Sequence, residues 1–156
     1  KRILLMGAGG AAHGVLDPLL DQQPADLVIV NRTLDKATAF QKKVVQTDKY
    51  RFTTVTACDY AGVGERRFDI VINATSSSLS GALPPLPPGI FAPGALAYDM
   101  MYGKELTPFL RFAQANGAAH LADGLGMLIE QAAESFFLWR GVRPQTQPVI
   151  ALLKPC

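Results

Sequence analysis

Gly7-Ala8-Gly9-Gly10-Ala11-Ala12 is the segment that says most about how this chain folds. It follows an apolar run, Ile3-Leu4-Leu5-Met6, and it precedes a stretch with helical character. A second apolar run, Leu27-Val28-Ile29-Val30, comes about 20 residues later and ends in Asn31-Arg32-Thr33. A strand, a glycine turn, a helix and a second strand with a polar tip are typical of a dinucleotide-binding βαβ unit.

The small residues of this turn have distinct physical roles in the predicted site. Gly7 permits the tight turn off the strand, and Gly9 lets the backbone approach a pyrophosphate without an intervening Cβ. Ala12 occupies the third position, where a small residue lets the helix pack closely on the strand. The helix N-terminus offers free N–H groups and partial positive charge to phosphates. The pattern therefore predicts dinucleotide binding, with a glycine turn that binds no ligand as the alternative.

The polar tip after the second apolar run indicates which dinucleotide binds. An acidic side chain there would bond to a free ribose hydroxyl, whereas this chain has Asn31 and Arg32. The Arg32 guanidinium can meet two oxygens of a 2′-phosphate, Lys36 adds a point charge one helical turn later, and Asn31 and Thr33 can supply neutral hydrogen bonds. We therefore expect NADP rather than NAD. The alternative is that Arg32 and Lys36 are ordinary solvated charges at the start of a helix.

Composition excludes several classes of protein. The 156 residues are expected to form one domain, 1–156. A net charge of +2 without a basic cluster argues against nucleic acid binding, and no apolar run reaches the roughly 20 residues that span a membrane. Cys58 and Cys156 lack metal-ligand spacing, so we expect no metal site and a reducing, cytoplasmic compartment. The start, Lys1-Arg2-Ile3, predicts a domain from a longer protein.

Alternating strands and helices predict a Rossmann-like α/β fold. It is a doubly wound parallel sheet in three α/β/α layers, with the strand order 3-2-1-4-5-6. The predicted strands are residues 2–6, 26–30, 51–56, 68–73, 94–99 and 118–121. The predicted helices are residues 10–21, 34–44, 108–116, 124–139 and 147–154. Pro18 is expected to kink the first helix or to end it early.

Ligands of such a sheet lie beyond the carboxyl ends of its strands. Ala74-Thr75-Ser76 follows a buried strand there, and its small polar residues suit the ribose and nicotinamide of a cofactor, or form only a Ser-rich loop. Gly124, Met127 and Gln131 lie on one helical stripe. Gly124 would allow close approach to the helix start, and Met127 could pack on a flat ring or simply fill the core.

Proton carriers are less evident than the cofactor site. His13 and His120 are the candidates, but a helical histidine is more often a surface or packing residue. We therefore expect no catalytic acid/base pair within this chain.

These motifs together resemble the C-terminal, NADP-binding domain of the shikimate dehydrogenase family over nearly the whole chain. Glutamyl-tRNA reductase shares the glycine segment and Asn31-Arg32-Thr33, but it fits the segments around Tyr102 and Gln131 poorly. Lys36 departs from the family, in which arginine is frequent at that position. The matching segments are Gly7 to Ala11 (GAGGA), Asn31-Arg32-Thr33 with Lys36, Ile72-Asn73-Ala74-Thr75-Ser76 (INATS), Tyr98-Asp99-Met100-Met101-Tyr102 with Thr107-Pro108-Phe109-Leu110, and Asp123-Gly124-Leu125-Gly126-Met127-Leu128 with Gln131-Ala132.

The resemblance implies a role for each matching residue. Tyr102 and Gln131 would reach across a cleft to shikimate. The pyrophosphate would bind at Gly7, Ala8, Gly9, Gly10 and Ala11, and the 2′-phosphate end at Asn31, Arg32, Thr33 and Lys36. The ribose and nicotinamide would be lined by Ala74, Thr75, Ser76, Met100, Gly124 and Met127.

The resemblance also implies an activity, the reversible NADP-dependent reduction of 3-dehydroshikimate to shikimate in aromatic amino-acid biosynthesis. The catalytic Lys and Asp of the family lie in an N-terminal substrate domain that this chain does not contain. We expect the last helix, residues 147–154, to pack on that domain or on a second copy of this chain, which would make a homodimer. The loop that begins Ser77-Ser78-Leu79-Ser80 leaves shikimate and quinate open as substrates. A stand-alone module that senses NADP is the alternative from another class.

Overall fold

A six-stranded parallel sheet forms the centre of the computed structural model, which describes residues 1–77 and 83–153. Every neighbouring pair of strands is parallel, and the order is 3-2-1-4-5-6. The predicted fold class and strand order are therefore confirmed. The strands are β1 (Arg2–Met6), β2 (Asp26–Val30), β3 (Thr54–Cys58), β4 (Phe68–Asn73), β5 (Phe91–Asp99) and β6 (His120–Asp123).

Apolar side chains lie on both faces of the sheet because successive residues of a strand point to opposite sides. Ile3 and Leu5 of β1 pack in the cluster that contains the first two helices, whereas Leu4 and Met6 pack in the cluster that contains the third. The helices are α1 (Gly10–Asp21), α2 (Leu34–Val45), α3 (Pro108–Ala115), α4 (Leu125–Arg140) and α5 (Gln147–Leu153). Within the two described ranges, no helix is long and apolar enough to cross a membrane.

Several predicted boundaries were wrong by a few residues, each for a local reason. β3 starts at Thr54 because residues 51–53 complete a turn, in which the Thr53 N–H donates to the Tyr50 carbonyl at 3.0 Å. β6 starts at His120 because Ala118 still belongs to the end of α3, where its N–H donates to the Ala113 carbonyl at 3.0 Å in a Schellman-type cap.

Two prolines lie inside regular elements. α1 runs through Pro18 to Asp21, so the helix does not end early. β5 begins at Phe91, before Pro93 and Gly94, and the register between β4 and β5 shifts there. Such an irregularity accommodates a proline that a regular ladder would exclude. The predicted end of α5 at Lys154 lies outside the described residues.

Candidate functional site

The turn between β1 and α1 requires glycine at its first position. Gly7 has a φ of +106°, and its N–H donates to the Val30 carbonyl at 2.7 Å. A Cβ on Gly7 would lie 3.0 Å from the Ala74 carbonyl oxygen and 3.3 Å from Cγ2 of Thr75. The backbone conformation and the close approach of the turn after β4 therefore both favour glycine here.

The start of α1 is open, as an anion site requires. Gly9 is the N-cap and has extended backbone, and no side chain caps the helix. A Cβ on Gly9 or on Gly10 would meet nothing within 4 Å. Ala8 is half-buried, Ala11 is exposed and Ala12 is fully buried. The N–H groups of the first turn thus face space that a pyrophosphate could fill.

The polar tip after β2 presents two cationic side chains to solvent. Arg32 and Lys36 are exposed, and neither forms an ion pair with any residue in the described part of the chain. The Asn31 side-chain amide donates to the Thr33 carbonyl at 2.9 Å, which holds the tip in shape. Thr33 is the N-cap of α2 as predicted, but its hydroxyl accepts no capping hydrogen bond.

A tyrosine that follows the end of β3 lies near Arg32 of this tip. Tyr60 packs against the core, and burial raises the pKa of its phenol to about 12 although the charge of Arg32 opposes the shift. Its hydroxyl therefore stays protonated at physiological pH, so Tyr60 adds no negative charge beside Arg32.

A buried polar network links the turns after β4 and β5. Asn73 and Asp99 are both fully buried at the carboxyl ends of these strands. The Asn73 side-chain amide donates to Oδ1 of Asp99 at 3.1 Å, and the Thr107 hydroxyl donates to Oδ2 of Asp99 at 2.5 Å. The same hydroxyl accepts the Leu110 N–H at 3.3 Å and so caps α3. Hydrogen bonding offsets the cost of burying these polar groups.

Asn73, Asp99 and Thr107 belong to the motifs quoted above, but no role in this network was predicted for them. The sequence signal that could have predicted the network is the presence of polar residues at the ends of two neighbouring buried strands. Which side chains meet depends on the register between β4 and β5, which pairs Asn73 with Asp99.

Several polar groups of the turn after β4 form hydrogen bonds with one another. Oδ1 of Asn73 accepts the Thr75 N–H at 3.2 Å and the Thr75 hydroxyl at 2.6 Å. The Thr75 and Ser77 hydroxyl oxygens lie 2.5 Å apart. Ala74 is buried and Ser76 is exposed, so Ser76 presents its hydroxyl most openly. The loop residues Ser78, Leu79 and Ser80, which were expected to bear on substrate preference, lie outside the described residues.

Gly124 lies against the backbone of the neighbouring turn. A Cβ on Gly124 would lie 2.1 Å from the Met100 carbonyl oxygen, and the Gly124 N–H donates to the Met101 carbonyl at 3.1 Å. The group that lies close to Gly124 is therefore the backbone of Met100, which belongs to the same chain. α4 starts at Leu125, one residue later than predicted, and Oδ1 of Asp123 accepts the Leu125 N–H at 3.1 Å.

Met127 and Gln131 lie on the side of α4 away from its buried stripe. That stripe is formed by Ile129 and Ala133, whereas Met127 is half-buried and Gln131 is exposed. Met127 is therefore not a full member of the core. Tyr102, beyond the end of β5, is 49% exposed. Met127 and Gln131 lie on a helix that starts at the carboxyl edge of the sheet, and Tyr102 lies in the turn that follows β5 at the same edge.

The two histidines lie at different places on the sheet. His13 lies in α1, close to the glycine turn, and its ring centroid is 4.1 Å from that of Phe40. His120 begins β6, at the amino edge, away from the predicted cofactor site. Residues 1–77 and 83–153 contain no group of three or more His, Cys, Asp or Glu that could hold a metal ion.

Two family models match the chain. The model of shikimate / quinate 5-dehydrogenase matches residues 1–80, and the model of the shikimate 5′-dehydrogenase C-terminal domain matches residues 124–154. The first match, residues 1–80, contains the glycine turn, the polar tip and the turn after β4. The second match contains all of α4 and all of α5.

Individual relatives agree with these models. A protein from Nitrosospira multiformis named shikimate dehydrogenase (NADP(+)) is 60% identical over 99% of this chain and 54% of its own length. The crystal structure of an Ael1 enzyme from Pseudomonas putida has 49% identity and a TM-score of 0.85, over 99% of this chain and 55% of that one. Shikimate 5-dehydrogenase from Thermus thermophilus, solved with shikimate, has 30% identity and a TM-score of 0.72, over 94% of this chain and 51% of that one. The chain thus spans about half the length of the relatives it matches.

Proposed function

Since the chain belongs to the shikimate / quinate 5-dehydrogenase family, we propose that it is the NADP-binding part of an enzyme that reversibly reduces 3-dehydroshikimate to shikimate. The observation that carries the proposal is the pair of exposed cations Arg32 and Lys36, which form no ion pair with the described residues, beside the open glycine turn. The name of the Nitrosospira multiformis relative supports both the cofactor and the reaction.

The residues of the chain suit this cofactor. The first turn of α1 would bind the pyrophosphate through its N–H groups, because the space beyond Gly9 and Gly10 is open. Arg32 and Lys36 would bind the 2′-phosphate, with Asn31 and Thr33 as neutral neighbours. NADP(H), when bound, supplies the hydride donor or acceptor of the reaction.

The turns after β4, β5 and β6 would hold the ribose and the nicotinamide. Ala74, Thr75 and Ser76 come from the first turn and Met100 from the second, and the hydrogen bonds of Asn73 and Asp99 fix these two turns to each other. Gly124 lets the start of α4 lie against Met100, which brings Met127 towards the same edge. Tyr102 and Gln131 are exposed and would contact the substrate.

Catalysis requires a proton donor that we do not assign within this chain. We place it in a second domain, which the apolar surface of the last two helices also favours. Leu138 is 74% exposed and Trp139 is 80% exposed at the end of α4, and Leu152 of α5 is 78% exposed. A helix that is apolar on several faces ordinarily lies inside a protein.

The surface between α4 and α5 also has the shape of a contact site. A groove of about 340 Å³ runs between the two helices. Its rim is held by the hydrogen bond from the Thr146 hydroxyl to Oε1 of Glu130, at 2.7 Å, and by the ion pair of Arg143 with Glu134. We propose that the second domain covers this surface. The apolar lining includes Leu128, Ile129, Ala132, Ala133, Phe136 and Val149.

Calorimetry with NADP⁺ and NAD⁺ tests the cofactor assignment. Two hydrogen bonds to a charged phosphate are worth about 1.5–3 kcal/mol each, so NADP⁺ should bind about 100-fold more tightly or better. Arg32→Ala should remove most of that preference. Arg51→Ala is the matched control, because Arg51 is also exposed but precedes β3 at the amino edge of the sheet. Equal losses of NADP⁺ and NAD⁺ affinity in Arg32→Ala would contradict the assignment.

Turnover tests the division into two parts. The 156-residue chain should bind NADP⁺ but should form no NADPH from shikimate, because the hydride acceptor, substrate and proton carrier are not held together. A polypeptide that also carries the second domain should form NADPH. Shikimate-dependent NADPH formation by the chain alone would refute the two-part proposal and leave the cofactor assignment standing.

A further inference from the structure

His13 lies between the two phosphate-binding elements proposed above. It is the fourth residue of α1, so it comes within one turn of the glycine segment, and its side chain is exposed. Its imidazole packs against the ring of Phe40, with 4.1 Å between the ring centroids and 45° between the ring planes. Phe40 belongs to α2 and is itself buried, so the contact directs the imidazole from α1 towards α2.

The position of Phe40 places this imidazole near the polar tip. Lys36 precedes Phe40 by four residues on the same face of α2, about one turn or 6 Å nearer the N-terminus. Side chains on a helix lean towards its N-terminus. Lys36 and His13 therefore lie on neighbouring helices, and Lys36 is one turn of α2 nearer than the Phe40 contact to the tip where Arg32 and Thr33 follow β2.

The charged groups near His13 come from α1, from the segment after α2 and from the α2 region. On its own helix, Asp17 is the nearest carboxylate, and its Oδ1 accepts the Tyr50 hydroxyl at 3.0 Å. Lys49 in turn donates to that hydroxyl at 2.9 Å. No salt bridge within residues 1–77 and 83–153 involves His13. The charged groups of the neighbouring α2 region are Arg32, Asp35, Lys36, Lys42 and Lys43.

We propose that His13, when protonated, is a third cationic contact of the NADP 2′-phosphate and makes the preference for NADP over NAD depend on pH. The inference rests on the proposed function, since it needs the 2′-phosphate to bind at Arg32 and Lys36. Histidine is the side chain whose charge ordinarily changes between pH 5 and 8. NAD has no phosphate at this place, so the effect belongs to the ratio of the two affinities.

The phosphate itself titrates in the same range, and the experiment must separate the two groups. The second pKa of a phosphate monoester is about 6, so the phosphate loses charge as the pH falls. Fixed cations such as Arg32 and Lys36 then hold it less tightly. A protonated His13 opposes this loss. An exposed charge pair is worth up to about 1 kcal/mol, or about fivefold in affinity.

Calorimetry at about pH 8 and about pH 5.5, with NADP⁺ and NAD⁺, tests the proposal on the wild-type chain and three variants. The NADP/NAD affinity ratio of His13→Gln should equal that of wild type at the higher pH and should be about three- to fivefold lower at the lower pH. His13→Lys, a permanent cation, should exceed His13→Gln at both. His120→Gln is the matched control, because His120 is the other histidine of the chain, and it should follow wild type. Circular dichroism checks that each variant is folded.

The outcomes separate the two proposals. A wild-type chain that prefers NADP⁺, with His13→Gln indistinguishable from it at the lower pH, would refute the role of His13 and leave the cofactor site intact. A wild-type chain that binds NADP⁺ and NAD⁺ alike at both pH values would refute the proposed 2′-phosphate site, and the role of His13 with it.

Discussion

Gly124→Ala is the change for which the structure predicts the largest effect. The alanine Cβ would lie 2.1 Å from the Met100 carbonyl oxygen and 2.7 Å from the Met100 carbonyl carbon. The φ of Gly124, −73°, is ordinary for alanine, so the cost comes from the contact and not from backbone strain. To reach an ordinary contact of 3.4 Å, the two backbones must separate by about 1.3 Å.

Overpacking of this kind costs about 1–3 kcal/mol, and we expect the upper end because both partners are main chain. A loss of about 3 kcal/mol would lower the melting temperature of a domain of this size by about 6–12 °C. Since Met100 would move with the turn after β5, we also expect weaker NADP⁺ binding.

Urea unfolding followed by circular dichroism measures this cost, with Gly126→Ala as the matched control. Gly126 lies two residues later in the same helix, and a Cβ there would meet nothing within 4 Å. Alanine favours a helix over glycine by up to about 1 kcal/mol, so Gly126→Ala should be slightly stabilising. A Gly124→Ala variant within about 0.5 kcal/mol of wild type would refute the close packing of α4 on the turn after β5, since changes of that size are typical of sites without such contacts.

Two further pairs of variants test the glycine turn and the buried network. Gly7→Ala should cost about 1–3 kcal/mol, because alanine is strained at a φ of +106°, whereas Gly9→Ala should leave the urea midpoint unchanged and weaken NADP⁺ binding. A Gly9→Ala variant with wild-type NADP⁺ affinity would argue against a pyrophosphate at that turn. Thr107→Val should cost about 1–3 kcal/mol in urea unfolding, because it leaves Asp99 one donor fewer and removes the cap of α3. Thr107→Ser keeps the hydroxyl and should lie closer to wild type, and equal stability of the valine and serine variants would show that the hydroxyl bond contributes nothing.

Local patterns were sufficient to predict most of the fold. Apolar runs before the glycine turn and before Asn31 placed β1 and β2 at their observed bounds. Alternation of strands with helices gave the parallel sheet and its order. The errors occurred at Ala118, where the cap of α3 extends past the predicted start of the strand, and at Pro93, which the irregular register between β4 and β5 tolerates.

The candidate site was predicted less completely than the fold. The positive φ of Gly7 and the exposure of Arg32 agree with roles read from single motifs. The pairing of Asn73 with Asp99 joins residues 26 apart in the chain, and the sequence does not specify which of their atoms meet. The stacking of His13 on Phe40 likewise depends on how α1 and α2 pack, which no local pattern encodes.

The fluorescence of Trp139, at the exposed end of α4, can report on contacts made at that surface. Trp139 is the single tryptophan of the sequence and is 80% exposed. Its fluorescence therefore comes from the surface that we propose the second domain covers, and not from the core. The emission should shift to shorter wavelength when that surface is covered, which allows the association of the two parts to be followed without a label.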